Sequence, residues 1–249
     1  MKHLFLAACL ALISLASAFS ADEKEEPKLT LPQAKAKFEK ADHALNDAWA
    51  LVKKALAEGD FAQLREEQRG WVEWRDHMAR AMGGIPADAD GRKSSDYLDA
   101  AASLSEGRAD WLRALAKGTK EFDDAMTGHW IDSYGGDLDI VEKEGEIYFL
   151  FTVVRGHGLN VGQIAGIAKW HSRIGWFSDK GRDKDKVDEA NIAFVYRQPK
   201  LQVTEAGADY YHGHAAVFDG DYVKIKSLTA KEQKETLHAG QTGEVPGGR

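Results

Sequence analysis

Cysteine is almost absent: the 249 residues contain one, Cys9, inside the first apolar segment. Once that segment is removed the chain has no thiol, which excludes disulfides, thiolate catalysis and cysteine-held metal. A second long apolar run is also missing. After Leu4–Ala16 no stretch is long and apolar enough to cross a membrane as a helix, so the chain is not expected to span one. Positive charge is in deficit, with 33 Lys and Arg against 40 Asp and Glu and a net charge of -7. That balance argues against nucleic acid and gives a weak preference for cationic partners. Catalytic motifs are missing as well: there is no G-x-S-x-G, no H-E-x-x-H and no P-loop. Gly156, Gly158 and Gly162 miss the dinucleotide spacing and lie on no strand-to-helix turn. No cofactor is expected, and the chain reads as non-enzymatic.

What is present begins with an export signal. Lys2 and His3 precede the apolar run, and Ala16, Ser17 and Ala18 come after it before the chain turns acidic at Asp22. Residues 1–21 therefore read as a cleaved signal peptide, with the mature protein periplasmic or secreted. Leu6-Ala7-Ala8-Cys9 has the form of a lipid-attachment box, but only five apolar residues would precede its cleavage, below the roughly 7 to 15 of a signal core. Cys9 reads as part of that core, lipidation being the lesser reading.

The composition is globular, 43% hydrophobic with seven tryptophans. Thr30-Leu31-Pro32-Gln33 has the form of a helix-capping box, and behind it Phe38, Ala41, Leu45, Ala48, Val52 and Leu56 recur at helical steps up to Gly59. Phe61, Leu64, Gln68, Trp71, Arg75, Met78 and Met82 repeat the spacing in a second helix. A third carries Leu98, Ala101, Leu104, Arg108, Trp111 and Leu115. Short turns between them predict a three-helix antiparallel bundle over residues 30–117. From Gly128 the period becomes two. Ile147, Phe149, Phe151 and Val153 alternate with side chains that are also apolar, and shorter alternating segments come after them. Seven or eight strands without an intervening helix predict a small antiparallel β-barrel over 128–230, giving an α+β, multidomain chain with a hinge at about 117–128. Residues 231–249 read as a disordered tail.

Few residues suggest chemistry. Asp183 and Asp185 begin like a calcium loop, but Val187, Asp188 and Phe194 stand where its later ligands and glycine belong. His212 and His214 would share a strand face, with His157 or His171 as a third ligand, yet no spacing supplies that third position; no metal is expected. The stretch REEQRGWVEWRDHMAR, residues 65–80, is the densest: on a helix it could be a catalytic face, a docking face or a buried seam edged by ion pairs. Buried aromatics being the commoner case, the seam is the preferred reading, with Arg75 or Arg108 partnered by an acid such as Asp76 or Glu106.

ALNDAWALVKKAL, LREEQRGWVEWRD and SLSEGRADWLRAL together resemble the LprI family of lysozyme inhibitors over about residues 34–116, with Asn46, Gln68, Arg69, Trp71, Arg75, Asp76 and Arg108 in register. The resemblance implies a helical fold and, as partner, a lysozyme or another cationic envelope protein, blocked at its cleft. The family's paired cysteines fall here at Ala79 and Ala100, so its disulfide is not expected. HWIDSYGGDLDI, GQIAGIA and YYHGHAAVFDGDYVK resemble the small barrel that is appended to such domains. A barrel of this size also admits a second reading, a small-ligand or glycan carrier with a helical scaffold.

Overall fold

The computed structural model describes residues 28–86, 88–118, 125–155, 160–180, 189–213 and 216–246. The expected signal peptide with Cys9, the loop holding Asp183 and Asp185, His157 and His214 lie outside the described residues.

Three long helices come first: α1 (Leu31–Ala55), α2 (Glu58–Met82) and α3 (Ser95–Gly118). At the head of α1 the Thr30 amide donates to Gln33 Oε1 at 2.9 Å, and Pro32 occupies the first turn, where a missing N–H costs nothing. The helix stops at Ala55. Gly59 falls instead in the first turn of α2, where Glu58 and Asp60 complement the positive end of the dipole. Side-chain size sets the spacing of the bundle. α1 buries Ala34, Ala41 and Ala48, seven apart, and α3 buries Ala101, Ala109 and Ala116, so these two helices approach closely. α2 buries Leu64, Trp71 and Met78, and its backbone stands further from α3. Ala79 and Ala100 share one buried cluster near the α2–α3 connection.

Eight antiparallel strands come next, each bonded to its successor, with β8 returning to β1 to close a barrel. They are β1 (Gly128–Ile131), β2 (Gly136–Lys143), β3 (Glu146–Arg155), β4 (Asn160–His171), β5 (Ile174–Ser178), β6 (Asn191–Arg197), β7 (Lys200–Ala206) and β8 (Gly220–Lys226). Closure leaves no free edge for pairing with other chains. Inward positions are filled by stacked aromatics: Phe149 meets Phe177 and Phe194, Phe151 meets Phe218 and Tyr222, and Trp130 meets Tyr196, all with ring centres 4.9 to 6.0 Å apart. An eight-stranded barrel is just wide enough for such a core.

The expected disordered tail is corrected. Residues Ala230–Thr242 form a fourth helix, α4, capped reciprocally by Thr229 and Glu232 and ended by Gly243 at φ 77°. It lies across β2, β3 and β4. A Cβ on Gly240 would stand 2.9 Å from the Gly166 carbonyl oxygen and 3.1 Å from Tyr148, so only glycine lets the helix come so close. That cover explains why β3 is apolar on both faces.

Candidate functional site at the helix and barrel junction

Part of the stretch 65–80, through Glu67, Gln68, Trp71 and Trp74, faces the protein's own barrel. Trp71, fully buried, donates its Nε1–H to the Ser133 carbonyl in the β1–β2 turn at 3.0 Å. One helical turn on, Trp74 packs edge-on against Tyr134 with ring centres 5.1 Å apart. Arg108 of α3 completes the grip. Its Nε donates to Gln68 Oε1 at 2.9 Å, and its Nη1 donates to Glu67 Oε1 at 3.0 Å and to Ser133 Oγ at 2.9 Å. The guanidinium carbon lies 4.5 Å from the Trp111 ring centre and 5.4 Å from that of Trp71. Nη2 of Arg108 is buried without a hydrogen-bond acceptor, and these aromatic faces are what stabilise its charge. Burial draws the Arg108 guanidinium below its ordinary value, with Glu67 opposing the shift.

The turn that is gripped is itself rigid. Asp132 Oδ1 accepts the amides of Tyr134 and Gly136, both at 2.8 Å, and Oδ2 accepts Arg155 Nη2 at 2.6 Å. Arg155 also donates to the Asp219 carbonyl and to the Tyr222 hydroxyl, tying the turn to β3 and β8. Gly135 has φ 91°, and a Cβ there would stand 2.1 Å from the Val154 carbonyl oxygen. Burial, with Glu67 and Asp132 adding to it, pushes the Tyr134 phenol up to about 12, so it stays neutral.

A cleft of about 240 Å³ opens between the two parts, lined by Glu67 and Trp111 of the helices and by Asp132, Tyr134, Arg155 and Asp221 of the barrel. Its carboxylates are engaged: Glu67 by Arg108, Asp132 by Arg155 and Asp221 by Lys200 at 3.0 Å. A fourth lining carboxylate, Asp219, accepts the Glu205 amide at 2.6 Å, so each holds a fixed partner.

The other expected site residues scatter. Arg75 pairs with Asp76 at 2.6 Å under Phe38, away from the turn. Asn46 bonds Asp42 on an exposed face, and Arg69 bonds Glu66 in solvent. Arg108 takes Glu67 and Gln68, not Glu106. Sequence reasoning misses the barrel's share, Asp132, Ser133, Tyr134 and Arg155; the one signal for it is the Asp-Ser-Tyr-Gly turn composition.

Histidines form two clusters, neither of them the expected one. His212 pairs with Glu205 at 3.0 Å beside Gly162, whereas His171 ends the same strand β4, nine residues or about 30 Å away. His129 stands between Asp139, 2.7 Å from Nδ1, and Asp137, 3.5 Å from Nε2. Burial works against its charge, but the two carboxylates outweigh that and hold the imidazole above its ordinary value. Both ring nitrogens face carboxylates, which favours the charged imidazole, and the same three side chains bring potential metal-ligating atoms within 4.8 Å of one another.

Residues 21–116 match the sequence model of the family described as lysozyme inhibitor LprI. The match covers α1 to α3 and stops before the barrel. No curated protein and no solved structure matches the chain. The LprI-type segment is thus the one whose Gln68, Trp71 and Arg108 hold the barrel's first turn.

Proposed function

We propose that the protein is an exported, non-enzymatic envelope protein that binds a lysozyme and blocks its glycan cleft. The match of residues 21–116 to the LprI family carries this reading. The net charge of -7 supports it, since an acidic surface attracts a basic enzyme over distances of about a Debye length. Among the described residues no helix is long and apolar enough to cross a membrane, which is compatible with an exported protein. The rival reading, a barrel that carries a small ligand or glycan, meets an interior already filled by Phe149, Phe151, Phe194 and Tyr222.

The test is cell-wall lysis by purified lysozymes of the c, g and i types, with and without the mature chain. Lysis should slow at micromolar protein, and added salt should slow the association. Undiminished lysis by all three, together with a rise in melting temperature on adding a glycan or apolar ligand, would favour the carrier.

A further inference from the structure

The LprI-type segment has already spent its aromatic face, because Trp71 is fully buried against the turn at Ser133. The face around Trp71 is thereby closed to a partner, and the barrel offers another. Going round the barrel, α3 packs along β8, and α4 crosses β2, β3 and β4. Among the described residues no helix packs extensively along β5, β6 or β7; at the edge of β7 the Lys200 ammonium lies 5.6 Å from the Trp111 ring centre of α3.

That bare wall is not an ordinary polar surface. Phe177, Ile192, Phe194, Leu201 and Val203 point inward, so Ile174, Trp176, Ala193 and Val195 point out. Ile174 and Trp176 are each 54% exposed, and the register sets Trp176 beside Ala193 and Ile174 beside Val195. The four make one apolar strip, with Thr204 and Gln202 next to it on β7. Charge on the wall runs against that of the whole molecule. The outward positions of β5, β6 and β7 hold no carboxylate, in a chain with 40 acidic residues. Cations border the strip instead: Lys169 lies across from Trp176, and Arg197 ends β6. Arg173 sits in the two-residue β4–β5 turn at φ 68°, a place that usually goes to glycine or asparagine.

We infer that this wall, with Trp176 at its centre, is the surface that enters the lysozyme cleft. The inference rests on the reading of the protein as a lysozyme inhibitor and names the face that does the work. A glycosidase cleft presents two carboxylates flanking the scissile bond, so it is a local acidic site on a basic enzyme. The inhibitor has the complementary pattern, an acidic body that attracts the enzyme and a basic, aromatic wall that fits the cleft; such a pattern fixes orientation as well as encounter rate. Exposed Trp and, further along the same wall, Arg are residue types that dominate binding energy at interfaces.

The test measures lysozyme inhibition by the intact mature protein, by Trp176→Ala and by Arg197→Glu, with Lys40→Glu on the exposed face of α1 as the charge-matched control. Trp176 is half-exposed, so its loss should lower the melting temperature only modestly, and circular dichroism verifies the fold. Each wall variant should need about tenfold more protein for half-inhibition, the control no more than the parent. If parent and wall variants inhibit equally, the wall is not the surface, although the function stands. If the parent inhibits no lysozyme, the functional reading fails and this inference falls with it. If the parent is a dimer in sedimentation that Trp176→Ala splits with inhibition unchanged, the wall is covered by a second copy and the inference is overturned.

Discussion

At the scale of single residues, Arg108 and Arg155 anchor the junction through specific acceptors although each keeps one buried nitrogen without one, and His129 makes stability depend on pH. Its side chain is 9% exposed between Asp137 and Asp139, on β1 where that strand joins the helices, with Lys226 of β8 as the nearby opposing cation. A folded-state value above the unfolded one means that its contribution is fully present below about pH 6.5 and is lost as pH rises through the raised value. Stability of the parent should therefore decline as pH rises above about 6.5, and His129→Asn should flatten that decline. Denaturant melts across the range measure it; an equal decline in both proteins would remove His129 as the cause.

Elements were legible wherever burial left a periodic apolar trace. Leu64, Trp71 and Met78 at sevens marked α2, and Phe149, Phe151 and Val153 at twos marked β3. The helix α4 left none, because what it buries is Thr236, Ala239 and Gly240, small residues suited to a close crossing over β3 and β4. The site was half legible for a similar reason. Gln68, Trp71 and Arg108 stood out as a helical pattern, but the acid that neutralises Arg108 is Glu67, 41 residues away, and the turn they hold belongs to the barrel. No local spacing encodes a contact of that range. α4 offers its own prediction through its cap. Burial tends to raise the Glu232 carboxyl, but the Thr229 amide and the Lys226 ammonium prevail and hold it at about 2. Its support is thus present above the ordinary carboxylate range and lost as pH falls through about 2. Glu232→Ala should weaken the helix by about 1 kcal/mol and speed amide exchange over residues 230–242 at neutral pH; unchanged exchange there would mean that the crossing at Gly240 alone holds the helix.

For the whole molecule, helices and barrel share a buried core, while residues 119–124, the middle of the expected hinge at 117–128, lie outside the described residues. Ile131 and Val223 of the barrel belong to the same buried cluster as Trp71, Trp111, Leu112 and Leu115 of the helices, and Gln198 of the β6–β7 turn bonds the Gly118 carbonyl at the end of α3. The central claim is that the LprI-type face holds its own barrel, and Trp71 tests it most directly. Trp71→Ala should cost about 3 to 5 kcal/mol, through the cavity left and the lost bond to Ser133. The decisive measurement is thermal unfolding of parent and variant, followed by two-dimensional amide NMR, whose signals report the helices and the strands separately. We expect one coincident transition in the parent and an equal fall of both midpoints in the variant; a barrel midpoint that stays in place while the helical signal melts early would contradict the claim.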